Sequence, residues 1–363
     1  MYEGWITPQP IIDLDIVDRN IAAMARRLKE HGLRHRPHIK SSKSVWLARK
    51  QIAAGAIGIT AAKLSEAEVF VNAGIGNILI AYSIVGEVNL KRFAKLHARA
   101  DLLTTVDSLA GAEGLASVGR ESGKPVRVLV EVDGGLHRGG RQPGEDAASF
   151  AKAVHAMDGL VVEGIMNYAG TIYKNTNRQG FIDAVTVESA LLKKTVERMK
   201  ADGVPIGIVS SGSTPSALFC DYLQDVTEVR AGNYIFFDAS GVGMGLAAEE
   251  DCALRILTTV ISVPLPGMAT IDAGTKTLTS DKAHGRPGYG IVVGRPGIEV
   301  SGLNEEHGFL TFDPAKEQLA VGDRIEIIPN HSCVIPNLYD EIQGVRRGEA
   351  AERISIDARG CNY

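Results

Sequence analysis

Four short segments hold residues whose types and spacing could do chemistry. The first is Arg36-Pro37-His38-Ile39-Lys40, at the end of an extended run in which Pro37 excludes a helix. A lysine amine at the carboxyl end of a strand can form a Schiff base when its surroundings lower its pKa. A lysine in that place is also commonly just solvated. The second segment is Ser210-Ser211-Gly212-Ser213-Thr214-Pro215, followed by Arg230-Ala231-Gly232-Asn233-Tyr234. Backbone N–H groups and hydroxyls on such loops bind phosphate, although Ser-Gly-Ser-Thr alone is an ordinary turn. Together with Lys40 these loops make a footprint for a cofactor with an aldehyde at one end and a phosphate at the other.

The third segment is Pro329-Asn330-His331-Ser332-Cys333. His331 and Cys333 stand at i and i+2, so on an extended chain both side chains face the same way. Imidazole and thiolate together suit a borderline-soft ion such as Zn²⁺, and two protein ligands leave coordination positions open for water or substrate. A half-buried histidine beside a core cysteine, or a Cys333 nucleophile served by His331, are the other readings. The fourth is Asp133-Gly134-Gly135-Leu136-His137-Arg138-Gly139-Gly140. Its arginine, held on a glycine-rich loop, can aim a guanidinium fork at an anionic oxygen. Asn167-Tyr168-Ala169-Gly170-Thr171-Ile172-Tyr173 adds two phenols to the same rim, as acid/base groups or as packing residues.

Something must position these segments, and the pattern of the chain says what. Counting Arg34–Lys40 as the first, strand-like runs follow at 57–62, 77–81, 102–106, 126–132, 161–167, 206–210 and 229–236. Helical periodicity fills 16–31, 64–73, 88–98, 108–120, 145–156 and 181–201, with a weaker helix signal across 211–228. Eight strand–helix repeats imply parallel βαβ units and a (β/α)₈ TIM barrel over residues 16–240, with an open doubly wound sheet as the alternative. No Gly-x-Gly-x-x-Gly turn follows the first strand, which argues against a dinucleotide site. Residues 238–250 read as a linker. Short β runs at 256–263, 291–293 and 324–328 then imply a smaller C-terminal β domain over 250–363, joined by residues 1–15.

Composition removes other functions. With 39 basic and 43 acidic residues the net charge is −4, so no basic field invites nucleic acid or an acidic membrane surface. No apolar run reaches the roughly 18 residues of a membrane span, and the amino-terminal residues lack the pattern of a signal peptide. Cys220, Cys252, Cys333 and Cys361 are scattered without Cys-x-x-Cys pairing, as expected of free thiols in the cytoplasm.

Taken in order, the motifs resemble one family. Arg36-Pro37-His38-Ile39-Lys40-Ser41-Ser42-Lys43 is similar to the Arg-Pro-His-x-Lys-Thr-x-Lys segment of the D-threonine aldolase and D-serine dehydratase group. These are fold-type III pyridoxal-5′-phosphate (PLP) enzymes with a barrel related to that of alanine racemase. The likeness runs from Thr7-Pro8 through Asp272-Ala273-Gly274, Glu306-His307-Gly308 and His331-Ser332-Cys333 to Ala358-Arg359-Gly360. It implies Lys40 as the Schiff-base lysine and His38 among the cofactor-binding residues. Arg138 and Tyr168 would lie near the cofactor ring. Ser211, Gly212, Ser213, Thr214, Gly232, Asn233 and Tyr234 would hold the phosphate, and His331 and Cys333 a divalent Zn²⁺ or Mn²⁺.

The resemblance further implies a homodimer acting on small D-amino acids with a β-hydroxyl. His-x-Cys, Gly170-Thr171-Ile172-Tyr173, Gly212-Ser213-Thr214-Pro215 and Gly232-Asn233-Tyr234 lean toward the dehydratase branch. The expected reaction is therefore dehydration and deamination of D-serine or a related 3-hydroxy-D-amino acid to a 2-keto acid and ammonia. Retro-aldol cleavage to glycine and an aldehyde, and more distantly racemisation, remain the alternatives. The chain departs from the family pattern at Ser41-Ser42, where Thr-His is usual, and at Tyr168, where many dehydratases have His.

Overall fold

The computed structural model describes residues 4–363; residues 1–3, part of the 1–15 segment assigned above to the β domain, lie outside them. The chain divides into two compact units. One comprises Met24–Lys40, Leu47–Gly232 and Cys361–Tyr363; the other comprises the described residues up to Ala23, Ser41–Trp46 and Asn233–Gly360.

The first unit is a barrel of eight parallel strands: Arg34–His35, Ile59–Ala61, Asn77–Ser83, Asp101–Val106, Val126–Val132, Leu160–Asn167, Ile208–Ser211 and Glu228–Val229. The first strand pairs with the eighth, and each later strand pairs with the next from the second to the eighth. A parallel bridge between His38 and Thr60 joins the two remaining edges. The ring therefore closes, as the strand–helix repeats implied. Parallel strands are covered on both faces and read as near-continuous apolar runs. Leu79, Leu103, Leu129, Met166 and Ile208, one from each of five successive strands, pack as a single apolar layer. Burial of each such side chain stabilises the fold by about 1.5–3 kcal/mol.

A charged layer also lies within the barrel. Arg36 Nε donates to both oxygens of Glu228 at 3.1 and 3.2 Å, and Arg36 Nη1 donates to Asn77 Oδ1 at 2.5 Å. Ser210 Oγ donates to Glu228 at 2.8 Å and accepts from Arg230 Nη1 at 2.8 Å. Buried charges persist only when paired or hydrogen-bonded; here Arg36 pairs with Glu228, and Arg230 is held by the Ser210 hydroxyl and the Asn167 carbonyl.

His35, on the first strand, is buried and hydrogen-bonds the Ala231 carbonyl through Nε2 at 3.1 Å. Burial holds its pKa down at about 4. Between about pH 4 and 6.5 the folded state keeps this ring neutral, with its single N–H, where the unfolded chain binds a second proton. Stability is thus expected to fall as pH drops below about 6.5 and to level off below about 4, at up to ~1.4 kcal/mol per pH unit. Urea midpoints between pH 7 and pH 4 check this. His35→Gln keeps an N–H for Ala231 and should make the slope shallower by up to one proton.

The second unit is antiparallel apart from one strand pair. Leu254–Leu265, Met268–Ile271, Gly308–Phe312, Ile298–Leu303, Ile291–Val292 and Arg324–Ile328 form a closed ring in that spatial order. Leu254–Leu265 closes it by pairing with both Arg324–Ile328 and Met268–Ile271. Gln9–Asp13 lies antiparallel to Leu254–Leu265 and parallel to Glu341–Arg346, which in turn pairs with Glu349–Ser355. This is the C-terminal β domain expected from the sequence, closed as a small barrel.

Several elements differ from the sequence reading. The first barrel strand stops at His35, and Ile39–Ser41 is a 3₁₀ turn, so Lys40 stands on a turn beyond the strand. A helix at Val45–Ala53 was not anticipated; only Leu47, Ala48 and Gln51 are buried on it, too narrow a stripe for periodicity to reveal. The eighth strand is Glu228–Val229 alone, and the apolar run read as its continuation contains a 3₁₀ turn at Asn233–Ile235. Within the segment read as a linker, Ala239–Gly243 is a short helix with Asp238 as its N-cap. Among the described residues no helix is long and apolar enough to cross a membrane.

Candidate active site

Within the barrel unit, the chemistry-bearing loops follow the carboxyl ends of the strands. Lys40 is exposed on the Ile39–Ser41 turn. His38, two residues earlier, is half-buried at the bridge to Thr60. Burial, and then the positive charges of Lys40, Arg230 and Arg138, hold its pKa well below the usual histidine value. A neutral imidazole is thus surrounded by three cations at one barrel mouth.

Arg138 reaches that mouth because its loop is built to carry it. Asp133 Oδ1 accepts the backbone N–H groups of Gly135 and His137, both at 3.0 Å. Asp133 Oδ2 accepts from His137 Nδ1 at 2.5 Å and Gln142 Nε2 at 3.2 Å. Gly134 lies so close to the next loop that a Cβ there would sit 2.3 Å from the Tyr168 carbonyl oxygen. The Arg138 guanidinium lies 5.0 Å from the centroid of the Tyr168 ring, within cation–π range. Tyr168 and Tyr173 are both half-buried, the latter on the 3₁₀ turn Gly170–Lys174.

The loop after the seventh strand turns through Gly212 at φ +82°, a conformation that favours glycine. Ser213 then caps the helix Thr214–Leu218, accepting from Ser216 N. Glu188, which the sequence reading passed over, lies buried beneath this loop. It accepts hydrogen bonds from Ser211 Oγ, from Gly212 N at 3.2 Å and from Ser216 Oγ at 3.0 Å, while burial raises its pKa. The Ser211 hydroxyl is therefore engaged by the protein, and Glu188 fixes the loop's shape. Gly232 follows buried after the eighth strand.

This mouth fits PLP. Lys40, Arg138 and Arg230 offer positive charge to an anionic cofactor, and the loop 211–214 offers hydroxyls and a glycine turn.

The remaining candidates belong to the second unit. Tyr234 is 1% exposed, with its side chain in the core. The Asn233 carboxamide is taken up locally: Nδ2 donates to Asp238 Oδ2 at 2.8 Å, and Oδ1 accepts from Ser332 Oγ. His331 Nδ1 lies 3.0 Å from the same Asp238 oxygen, and Cys333 Sγ lies 3.0 Å from Ser41 Oγ. Cys333, helped by Asp238, pushes the His331 pKa up to about 11 against the effect of burial. Imidazole and sulfur standing together beside a carboxylate are the donors of a Zn²⁺-type site. Among the described residues no group of three or more His, Cys, Asp or Glu is arranged around a metal position.

The comparisons agree with this architecture. The alanine racemase N-terminal domain matches residues 12–240, and a putative serine dehydratase domain matches residues 253–345. The chain is 40% identical to the D-threo-3-hydroxyaspartate dehydratase of a Delftia species, with 90% of each chain covered. It is 31% identical to the 3-hydroxy-D-aspartate aldolase of Paracoccus denitrificans, covering 98% of this chain and 93% of that one. The crystal structure of the D-threonine aldolase of Filomicrobium marinum superposes with a TM-score of 0.92 at 31% identity, covering 99% of this chain and 97% of that one. Solved structures of D-threo-3-hydroxyaspartate dehydratase include a histidine-to-alanine variant and a cysteine-to-alanine variant two positions further on, the latter in a metal-free form. The chain therefore belongs to the fold-type III family of PLP-dependent lyases that includes the D-threonine aldolases and D-serine dehydratases.

Proposed function

We propose that the protein is a PLP- and divalent-metal-dependent dehydratase of β-hydroxy-D-amino acids, converting a 3-hydroxy-D-amino acid such as D-serine or 3-hydroxy-D-aspartate to a 2-keto acid and ammonia. The observation that carries this reading is the His331-x-Cys333 pair, with His331 held against the buried Asp238 carboxylate, in a chain 40% identical to a dehydratase and 31% identical to an aldolase.

Lys40 would hold the cofactor and, once exchanged for the substrate amine, take the proton from Cα. Its place on an exposed turn gives the amine access to that carbon. Arg138, stacked on Tyr168, and the neutral His38 would orient the cofactor ring. The loop 211–214, braced by Glu188, and Gly232 would anchor the phosphate. When bound, PLP supplies an electron sink for charge developing at Cα. A divalent ion on His331 and Cys333 supplies a Lewis acid for the β-hydroxyl, since hydroxide leaves poorly without one.

Product analysis tests the reading. Purified, PLP-loaded protein with added Zn²⁺ or Mn²⁺ is given D-serine, D-threonine and 3-hydroxy-D-aspartate in turn. Keto acid and ammonia are expected. Glycine and an aldehyde would instead make the protein an aldolase with a His-x-Cys metal site.

A further inference from the structure

Asp238 caps the short helix Ala239–Gly243, and Oδ1 alone does this, accepting from Gly241 N at 3.0 Å. An asparagine would cap as well. What requires a carboxylate is Oδ2. This oxygen gathers three donors from two separate segments: His331 Nδ1 at 3.0 Å, Ser332 N at 3.0 Å and Asn233 Nδ2 at 2.8 Å. The Asp238 side chain is fully buried, with no exposed surface. The Asn233 carboxamide is in turn fixed at its other end by the Ser332 hydroxyl, so the acceptor cannot swing away from the histidine.

We propose that Asp238 is the positioning residue of the metal site. Its Oδ2 keeps His331 protonated on Nδ1 and leaves Nε2 as the coordinating nitrogen, with Asn233 and Ser332 locking the carboxylate in place. A histidine that binds metal through one ring nitrogen needs a partner for the other, which sets both tautomer and ring orientation. Asp238→Asn isolates this role. The Oδ1 cap survives, while an amide nitrogen replaces Oδ2 opposite three N–H donors. His331 could then satisfy the amide only by giving up the Nδ1 proton and placing it on Nε2, the nitrogen the metal requires. The inference rests on the reading of His331 and Cys333 as metal ligands.

Cobalt serves as the probe. PLP-loaded wild-type protein and Asp238→Asn, both stripped of metal, are titrated with Co²⁺ while the thiolate-to-cobalt charge-transfer absorbance is followed. Wild type is expected to develop the band. The variant should develop the same band at saturation with about 10–100-fold weaker affinity, its cofactor absorbance unchanged. Equal affinity in the two proteins would overturn the role of Asp238 and leave the metal site standing. Absence of the band in wild type would remove the metal site and the proposal together. If the variant does not fold, ¹⁵N-histidine NMR of Zn²⁺-loaded wild type decides. Nδ1 protonated and Nε2 metal-bound supports the proposal, and coordination through Nδ1 overturns it.

Discussion

Lys40→Ala should leave a folded barrel that neither binds PLP covalently nor turns over substrate. Lys40 makes no contact that the fold depends on: it is exposed, on a turn past the end of its strand. The His38–Thr60 bridge that closes the ring uses backbone groups and survives the substitution. The two losses have separate readouts. The absorbance shift of a lysine-bound aldehyde should vanish, and turnover should fall by at least the roughly 10²–10⁴-fold of a positioned proton-transfer group. Thermal unfolding of the cofactor-free proteins should coincide. Retained turnover would show that another amine carries the cofactor.

His331→Ala is expected to cost nearly as much, by a different route. The substitution removes the nitrogen donor and leaves the Asp238 carboxylate buried without one of its three Oδ2 partners. Metal content should fall to background while the PLP spectrum persists. Coordination to a divalent cation lowers the pKa of water from 15.7 to about 7, and the same stabilisation is what a departing hydroxide needs. Turnover should therefore drop by about 10²–10³-fold, the range assigned to single electrostatic groups in active sites. Chelation of the wild type should reproduce the loss, and Zn²⁺ or Mn²⁺ should restore the chelated wild type but not the variant. If a chelated enzyme keeps its activity, the hydroxyl leaves without a metal and His331 has another task.

What the sequence revealed and what it hid divide along contact range. Lys40, the loop 211–214 and the glycine-rich loop of Arg138 were legible because each is a local string after a recognisable strand. The parallel barrel was legible because every βα unit repeats a local pattern. The six-stranded ring of the second unit was not. Its strands pair across long separations, and only the β character of some of them shows in the sequence. Asp238 passed as part of a linker, because its meaning depends on His331, 93 positions later. Glu188 looks like an ordinary polar residue of the long helix Arg178–Ala201; only the serines and glycine packed on it give it a role. Asn233 was legible as part of a loop, but not the partners of its carboxamide.

The strand Gln9–Asp13 has a bearing on how the chain is made. Its antiparallel neighbour begins at Leu254, with Gln9 opposite Leu257, and its parallel neighbour lies later still, at Glu341–Arg346. At roughly 5–20 residues per second on the ribosome, the wait for the first of these is about 10–50 s. For all that time an apolar strand with two unpaired edges, the kind of segment that recruits other chains, emerges ahead of everything it will pair with. Nascent chains stalled before residue 254 should consequently be bound by holding chaperones at this strand, and chains released beyond residue 346 should not.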